Sequence, residues 1–258
     1  MSIEKKIVLI TGAAKRLGRV IALEMAKAGW DVAIHFGRSQ EDAENTVDEI
    51  KKLGRNAISL QADLADEKQV NGLIQRCTEQ IGLPRCIINN ASLFQYDVAS
   101  STSYASIDAH MRTNVAAPMA LARDLHRARE KLTDQGLAKA VIINMLDQKL
   151  ANLNPDFFSY TLSKAALYSA TTMLAQAFAP NIRVVGIAPG ITMVSGDQSE
   201  EGFQKAHAMT PLGKSSTPED VAKAVVYLAS AEAITGTTLF VDGGQHLKPI
   251  DRDVMFLT

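Results

Sequence analysis

The sequence of 258 residues has few cysteines and no excess of charge of either sign. Its two cysteines, Cys77 and Cys86, lack the spacing of metal ligands or of a redox pair, so we expect reduced, structural thiols and no metal site. Because 27 basic and 28 acidic residues leave a net charge of −1, there is no electrostatic case for nucleic acid or an anionic membrane as a partner.

Long apolar runs are also absent from the sequence. No stretch approaches the ~18 consecutive apolar residues of a membrane-spanning helix. The first residues, Met1 to Lys6, lead directly into a strand-like segment and do not resemble a signal peptide. We therefore expect a soluble, cytoplasmic protein.

Strand and helix patterns alternate along the chain. Hydrophobic residues make up 47% of it, enough for the core of one sizeable domain. Seven short apolar runs alternate with amphipathic segments, which predicts a single α/β domain with a doubly wound, seven-stranded parallel sheet. The predicted strands end near residues 10, 36, 61, 89, 146, 188 and 241, and long helices are predicted at 40–53, 67–81 and 103–132. Residues 191–215 are polar and aperiodic, and we predict that they form an irregular lid over a site.

A glycine turn joins the first predicted strand to the helix that follows it. Gly12 and Gly18 are six residues apart and come directly after the strand. In this context glycine lets the backbone approach a pyrophosphate, and the start of a helix favours an anion. A plain strand-to-helix turn is the alternative, but it needs only one glycine. The pair therefore favours a dinucleotide cofactor.

The end of the second predicted strand indicates which dinucleotide this is. An NAD site usually has an acidic residue about 20 positions after the glycines, to hold the ribose hydroxyls. The segment His35–Ser39 contains no acid. Arg38 and Ser39 are suited to a 2′-phosphate, with help from Lys15 or Arg16 of the first turn. A solvated arginine is the alternative, but its place at the tip of the strand favours NADPH.

Two polar residues elsewhere have open interpretations. Asp63 follows the third predicted strand, where it could accept from the amino group of adenine or cap the helix that starts near Asp66. Asn114 lies inside a predicted helix, where asparagine is unfavourable. A bound water or a kink would explain it.

Polar residues also close the fourth predicted strand. Asn89 and Asn90 end this strand and could bond to neighbouring backbone, while Ser92 and Phe94 would lie beyond it, over the predicted cleft.

Tyr160 and Lys164 lie four residues apart on a predicted helix, so their side chains share one face. A tyrosine has a pKa of about 10, and a nearby ammonium would lower it towards the working pH. Asp147 ends the fifth predicted strand, at the edge where open α/β sheets bind ligands. Taken alone, the Tyr-x-x-x-Lys spacing is common on helices and would carry little weight.

Together these motifs resemble the short-chain dehydrogenase/reductase family along essentially the whole chain. The residues that carry the resemblance are Thr11-Gly12 with Gly18, Asn89-Asn90-Ala91, Asn114, Tyr160 with Lys164, Pro189-Gly190 and Asp242-Gly243-Gly244. The resemblance implies a Rossmann-type sheet, hydride transfer with a nicotinamide, and usually a homotetramer. One subunit interface would be formed by the Tyr160 helix and the 103–132 helix, where Ala165, Ala166, Ala170 and Ala175 allow close packing.

Two departures from the common family pattern resemble its pteridine reductases. Arg16 stands where the first turn usually has a central glycine, and Asp147 stands where the catalytic serine is usual, thirteen residues before the tyrosine. The chain also resembles this subfamily at His35 with Arg38-Ser39 and in the run Asn89-Asn90-Ala91-Ser92-x-Phe94.

The subfamily resemblance assigns roles to these residues. It implies that Arg16 and Phe94 help to hold a pterin, which stacks between the aromatic ring and the nicotinamide. Tyr160, assisted by Asp147, would protonate a ring nitrogen, and Lys164 would bind the nicotinamide ribose. Asn114 would hold a proton-relay water.

The chemistry of Asp147 supports the same substrate. A serine donates to a carbonyl oxygen, whereas a carboxylate would repel that oxygen and suits a substrate that presents N–H groups.

The predicted site residues fall into three overlapping sets. The catalytic residues are Asp147, Tyr160, Lys164 and Asn114. The cofactor residues are Gly12, Lys15, Arg16, Leu17, Gly18, His35, Arg38, Ser39, Asp63, Leu64, Asn90, Ala91, Ser92, Lys164, Pro189, Gly190 and Ile191. The substrate residues are Arg16, Ser92, Phe94, Asp147 and Tyr160.

The sequence leads to an NADPH-dependent pteridine reductase as the first hypothesis. A ketone or sugar reductase of the same family and an NADPH-sensing binding protein without turnover are the alternatives.

Overall fold

A single parallel β-sheet of seven strands organises the chain, in the spatial order β3-β2-β1-β4-β5-β6-β7. The computed structural model describes residues 5–132, 138–194 and 199–256. The strands are β1 Ile7–Ile10, β2 Asp31–Phe36, β3 Ala57–Gln61, β4 Cys86–Asn89, β5 Ala140–Met145, β6 Ile182–Pro189 and β7 Thr238–Val241. The predicted doubly wound, Rossmann-type sheet is confirmed.

Helices connect these strands on both faces of the sheet. They are α1 Arg16–Lys27, α2 Gln40–Lys52, α3 Glu67–Val70, α4 Leu73–Gln80, α5 Tyr104–Met111, α6 Ala117–Glu130, α7 Phe158–Ala177, α8 Glu200–Ala208 and α9 Pro218–Ser230. Short 3-10 turns cover Gln148–Ala151, Gln245–Leu247 and Val254–Phe256. Within the described parts of the chain, no helix combines the length and the apolar character that a membrane crossing needs.

The core has two layers because alternate residues of each strand point to opposite faces. On β1, Val8 and Ile10 pack under helices α1, α2 and α9. Ile7 and Leu9 of the same strand pack under α4, α6 and α7. A sheet covered on both sides needs strands that are apolar throughout, which is why the sequence shows continuous apolar runs here.

The strand order reverses between β1 and β4, and this places the site. β1 pairs with β2 on one side and with β4 on the other, with Ile10 opposite Ile88. The connections that follow β1 and β4 therefore leave the carboxyl edge of the sheet in opposite directions. Open α/β sheets bind ligands in the crevice that this divergence creates.

Three predicted segments differ from the structure. The helix predicted at 67–81 is interrupted at Gly72, which separates α3 from α4. The helix predicted at 103–132 contains a π-helical turn, Arg112–Ala116, between α5 and α6. The lid predicted as irregular contains α8, and its residues 195–198 lie outside the described residues. Pattern reading missed α8 because the segment is polar on most of its surface and buries few residues.

Candidate active site

The turn after β1 is bonded to the end of β4. Thr11 Oγ1 accepts from the backbone amides of Asn90 and Ala91, at 3.0 Å each, and Asn90 Nδ2 donates to the carbonyls of Thr11 and Gly12 at 2.9 and 3.1 Å. Gly12 has a φ of +63°. A Cβ on Gly18 would lie 2.6 Å from Asn90 Nδ2. Both glycines are therefore required by the close approach of this turn to β4.

His35 supports the same turn from β2. Its Nδ1 accepts from the Gly12 amide at 3.1 Å, and its Nε2 lies 3.0 Å from the carbonyl of Ala62. This pair of contacts requires the neutral tautomer with its hydrogen on Nε2. Burial lowers the pKa of His35 to about 4, which keeps the ring neutral. Both ring nitrogens are engaged within the protein, so His35 holds Gly12 in place, and its predicted role in the cofactor site stays a prediction.

Helix α1 begins directly after this turn. Its N-cap residue, Lys15, makes no side-chain capping bond, and the first turn of this fully described helix has no acidic residue. The amides without an intrahelical partner and the positive end of the helix dipole suit an anion. Arg16 has a φ of +54°, the left-handed region in which glycine is usual, and its guanidinium donates to the Val194 carbonyl at 2.8 Å.

A smaller cleft, of about 350 Å³, opens beside this turn at the ends of β1 to β4. Arg38 and Leu64 line it. Ser39 is the N-cap residue of α2, and its hydroxyl makes no capping bond within the described residues. Arg38 and the start of α2 therefore provide a cation, a hydroxyl and helix amides next to one another.

Asp63 lines the smaller cleft without capping a helix. Its Oδ1 accepts from the Ala65 amide at 2.9 Å in a local turn. The residue that caps α3 is Asp66, whose side chain accepts from the amide of Lys68. The capping interpretation of Asp63 is therefore wrong, and the adenine interpretation stays a prediction.

Tyr160 and Asp147 lie at the floor of the main cleft, and Lys164 is buried next to Tyr160. The Tyr160 hydroxyl donates to Asp147 Oδ2 at 2.8 Å, and Asp147 Oδ1 accepts from the Lys149 amide at 2.8 Å. Lys164 Nζ donates to the carbonyl of Met145 at 2.7 Å and lies 5.6 Å from the centroid of the Tyr160 ring. Tyr160 and Lys164 are 7% and 3% exposed, so a charge on either side chain would be poorly hydrated.

These surroundings make the charged forms of Asp147 and Tyr160 less favourable than they are in water. Burial raises the pKa of Asp147. Burial, and after it the charge of Asp147, raises the pKa of Tyr160 well above its usual value. Burial lowers the pKa of Lys164 to about 8.

The prediction that Lys164 lowers the pKa of Tyr160 is therefore wrong for this structure. The Tyr160 hydroxyl bonds to the Asp147 carboxylate, whose charge opposes ionisation, while the Lys164 ammonium bonds to a backbone carbonyl.

Asn114 occupies the π-helical turn, so of the two explanations offered for it, a distortion of the helix is confirmed. Its Oδ1 accepts from the Leu93 amide at 2.7 Å, and its Nδ2 donates to the Leu93 carbonyl and to Ser163 Oγ, each at 2.9 Å. The side chain thus ties the segment after β4 to helix α7. Its predicted role with a relay water stays a prediction.

An aromatic cluster flanks Tyr160 on the side away from the glycine turn. The ring of Phe94 stacks on Phe157, with centroids 4.2 Å apart, and meets the ring of Tyr160 edge-on at 4.7 Å. Phe157 has a φ of +53°, an unfavourable backbone conformation for a bulky residue. Phe94 is 41% exposed and lines the cleft.

The main cleft, of about 520 Å³, brings most of the predicted residues together. Those that line it are Gly12, Lys15, Arg16, Leu17, Gly18, Asn90, Ala91, Ser92, Phe94, Asp147, Tyr160, Gly190 and Ile191. Those that line the smaller cleft include Gly12, His35, Arg38, Asp63, Leu64, Ala91 and Ser92. Four predicted residues that the structure describes line neither cleft: Ser39, Asn114, Lys164 and Pro189.

Comparison with known proteins identifies the family of this chain. The model of the family described as enoyl-(acyl carrier protein) reductase matches residues 12–246. The chain belongs to the short-chain dehydrogenase/reductase family. A 3-oxoacyl-[acyl-carrier-protein] reductase, FabG, from Staphylococcus aureus is 30% identical over 249 residues, which cover 94% of this chain and 98% of the relative. A 3beta-hydroxysteroid dehydrogenase 1 from Eggerthella lenta is 33% identical over 251 residues, covering 95% of each chain.

Two solved structures that are similar to this chain bear a different name from these relatives. FolM alternative dihydrofolate reductase 1 from Brucella canis, complexed with NADP, is 39% identical, with a TM-score of 0.87 over 94% of this chain and 95% of that one. The protein of the same name from Brucella suis, also in complex with NADP, is 38% identical, with a TM-score of 0.86 over 94% and 96%. The short-chain reductase described here is accordingly an NAD(P)-dependent oxidoreductase.

The residues of this short-chain reductase fit a dinucleotide. Besides Gly12 and Gly18, the loop after β6 leaves no room for a side chain, because a Cβ on Gly190 would lie 2.5 Å from Ser215 Oγ. The Ile191 amide is held by Gln245 Oε1 at 3.3 Å. At these glycines the backbone along the cleft carries no side chain, which allows close contact with a pyrophosphate and a nicotinamide.

Several residues of the short-chain reductase site were missed from the sequence. Lys149, Gln245 and Asp253 line the main cleft, and Phe157 backs the Phe94 ring. Gln245 directly follows the Asp242-Gly243-Gly244 motif, which could have indicated it. Asp253 has no signal, because it reaches the cleft only through the path of the C-terminal segment.

The buried His35 makes a testable contribution to stability. Its pKa falls from 6.5 to about 4 on folding, so between these pH values the unfolded chain binds a proton that the folded protein does not. The free energy of unfolding should therefore decrease as the pH falls through this window, by about 3 kcal/mol in total for this residue.

Urea denaturation of the wild type and of His35→Gln between pH 4 and 7 measures this. The difference in stability between the two proteins should shrink as the pH falls. A difference that is constant with pH would contradict a neutral, buried His35.

Proposed function

We propose that this short-chain reductase uses NADPH to reduce a pterin. The observation that carries the proposal is the hydrogen bond of 2.8 Å from the Tyr160 hydroxyl to the carboxylate of Asp147, where the common family pattern has serine. The FolM proteins, at 39% and 38% identity, support the same substrate class by their names.

The choice of NADPH rests on the start of helix α2. Arg38 and Ser39 lie at the tip of β2, and the segment from His35 to Ser39 contains no acidic residue that could bind the ribose hydroxyls. A guanidinium, a hydroxyl and helix amides together suit a 2′-phosphate, which an NAD-type carboxylate would repel. The relatives complexed with NADP are consistent with this choice.

The proposal of a pterin as substrate rests on the hydrogen bonds of the two carboxylate oxygens of Asp147. One accepts from the Lys149 amide and the other from the Tyr160 hydroxyl, so both act as acceptors. A ketone oxygen that develops negative charge would meet a carboxylate here and be repelled. A ring with N–H groups, such as a pterin, meets acceptors for them.

The proton path follows from the same hydrogen bond. The nicotinamide, when bound, supplies a hydride to the carbon of the C=N bond of the pterin ring. Tyr160 gives its hydroxyl proton to the adjacent nitrogen, and the proton that Asp147 takes from solvent restores it. The C=N bond thus gains one hydride and one proton and becomes CH–NH. Burial raises the pKa of Asp147, which favours its uptake of this proton.

Phe94 and Arg16 are the residues that would hold the ring. Phe94 lines the cleft beside Tyr160 and offers a flat aromatic surface. Arg16 lines the same cleft from the glycine turn, and its guanidinium is oriented by the Val194 carbonyl. A stacked pterin would lie between these two side chains and the Asp147–Tyr160 pair.

A ketone reductase is the second candidate function. The similarity to FabG of Staphylococcus aureus, whose name describes a 3-oxoacyl reductase, favours it. The two functions differ in whether Asp147 is required, so one substitution separates them.

The first prediction from this proposal concerns the cofactor. Arg38→Ala should raise the KM for NADPH about ten- to a hundredfold, because a charge-assisted bond to phosphate typically contributes about 1.5–3 kcal/mol. The KM for NADH should stay unchanged. Arg127→Ala, which removes an exposed arginine from α6, is the matched control. Equal use of NADH and NADPH by the wild type would refute the NADPH assignment.

The second prediction concerns Asp147. Asp147→Ser restores the common family residue, yet it should lower kcat for dihydrobiopterin by about 10²–10⁴-fold with a smaller change in KM. Tyr160→Phe should be comparably damaging. The double variant should be little worse than either single one, because the two residues act as a unit.

The control for this prediction is a set of ketones assayed with the same variants. Pterin activity of Asp147→Ser within a few-fold of the wild type would contradict the proposal. So would a wild type that reduces ketones well and pterins not at all.

The third prediction concerns assembly, for which we propose a homotetramer. Helix α7 exposes Leu162, Tyr168 and Met173, which are 45%, 49% and 67% exposed. Ala175 of the predicted interface is instead buried in the core of its own chain. Light scattering at micromolar concentration should show a tetramer, and Met173→Glu should weaken it without loss of folding. A monomeric wild type would refute this assembly.

A further inference from the structure

One wall of the main cleft is formed by the C-terminal segment, which we define as residues 251–256. Asp253 and Met255 of this segment line the cleft together with Asp147 and Tyr160. The proposed reaction has so far used only the floor of the cleft. The wall adds a second carboxylate to it.

Two buried charges fix the C-terminal segment in place. Asp156, at 1% exposure of its residue surface, accepts from Arg252 through both oxygens, at 2.8 and 2.9 Å, and from the Asp253 amide at 2.7 Å. Lys149, 4% exposed, donates through Nζ to the Asp156 carbonyl at 2.6 Å and to Asp253 Oδ2 at 3.1 Å. Because most of these bonds are charge-assisted and all are at least partly buried, Asp253 has a defined position.

Lys149 connects the two carboxylates of the cleft. Its backbone amide donates to Asp147 Oδ1 at 2.8 Å, while its side chain donates to Asp253 Oδ2. The remaining oxygen of Asp253 accepts from the Met255 amide at 3.1 Å. A single residue thus couples the placement of Asp253 to that of Asp147.

Asp253 also acts on the floor of the cleft through its charge. The charged and titratable groups that surround Asp147 are Tyr160 and Lys164 from α7, Lys149 from its own turn, Asp253 from the C-terminal segment and Arg16 from the first turn. Burial is the main cause of the raised pKa of Asp147 and of Tyr160, and the negative charge of Asp253 raises both further. Lys164 acts on Asp147 in the opposite sense.

We propose that Asp253 is a positioning residue for the Asp147–Tyr160 pair: Lys149 and the Asp156–Arg252 anchor hold its carboxylate on the wall of the cleft that this pair lines, where its negative charge opposes loss of the transferable proton. This inference rests on the proposed function for its catalytic meaning. Asp253 itself takes no part in the proton path.

The first test needs no turnover. Aspartate labelled with ¹³C at its side-chain carboxyl gives an NMR titration of Asp147, assigned by the signal that is lost in Asp147→Asn. In Asp253→Asn the midpoint for Asp147 should move to lower pH. In Asp253→Glu, which keeps the charge, it should stay near that of the wild type.

The matched control is Asp251→Asn, which removes the same charge from an exposed position of the same segment. It should leave the Asp147 midpoint unchanged. Equal midpoints in the wild type and Asp253→Asn, or equal shifts in Asp253→Asn and Asp251→Asn, would overturn the inference. Asp253→Ser is a second neutral variant that keeps an acceptor for the Met255 amide, and the same criterion applies to it if Asp253→Asn does not fold.

The second test is the pH profile of dihydrobiopterin reduction. In Asp253→Asn the fall of kcat on the alkaline side should begin at lower pH, with kcat about three- to tenfold below that of the wild type there and little change in KM. A purely structural role would lower stability without moving the profile, and that result would overturn the inference.

The two tests separate this inference from the proposed function. A wild type that fails to reduce pterins counts against the function alone, whereas unmoved NMR midpoints count against Asp253 alone.

Discussion

The hydrogen bond between Tyr160 and Asp147 is the interaction on which the site depends. A buried carboxylate is unfavourable unless its oxygens are bonded, and this one is bonded by the Tyr160 hydroxyl and the Lys149 amide. Because both partners are buried, the proton between them is held more tightly than it would be in water. The surrounding elements therefore have to support this pair and still leave a cleft above it.

Helix α7 supplies this support because it is fixed from outside its own sequence. Its N-cap residue is Phe157, whose side chain has no hydrogen-bond acceptor and cannot cap the helix. Asp97 provides the cap instead, because its Oδ1 accepts from the Ser159 amide at 2.9 Å. One turn past Tyr160, Lys164 bonds to the end of β5 through the Met145 carbonyl. The hydroxyl of Tyr160 is thus held next to the segment after β5 that carries Asp147.

The sequence was informative where neighbours along the chain determine the structure. Strands buried on both faces appear as apolar runs, so the seven strands of the parallel sheet and their alternation with helices could be predicted. The spacing of Tyr160 and Lys164 placed both on one helical face. The glycines of the first turn marked a close backbone approach, which the positive φ of Gly12 explains.

The sequence was uninformative where the surroundings come from distant elements. The direction of the pKa shift of Tyr160 was predicted from Lys164 alone, but burial and a carboxylate from another element decide it. Asp253 lies 104 positions after Lys149, and nothing in their local patterns connects them. Electrostatic contributions of this kind depend on three-dimensional distance and burial, neither of which has a periodicity that a sequence could show.

The relatives of this chain share its fold but bear the names of different activities. A shared fold does not determine the substrate. What distinguishes a substrate is the donor or acceptor that the protein presents at the reacting atoms. A serine hydroxyl can donate to a carbonyl oxygen, but Asp147 uses both of its oxygens as acceptors, towards Lys149 and Tyr160. Under the proposed function, the Tyr160 hydroxyl supplies the proton to the substrate and Asp147 replaces it, while the other N–H groups of a pterin find acceptors in the carboxylate.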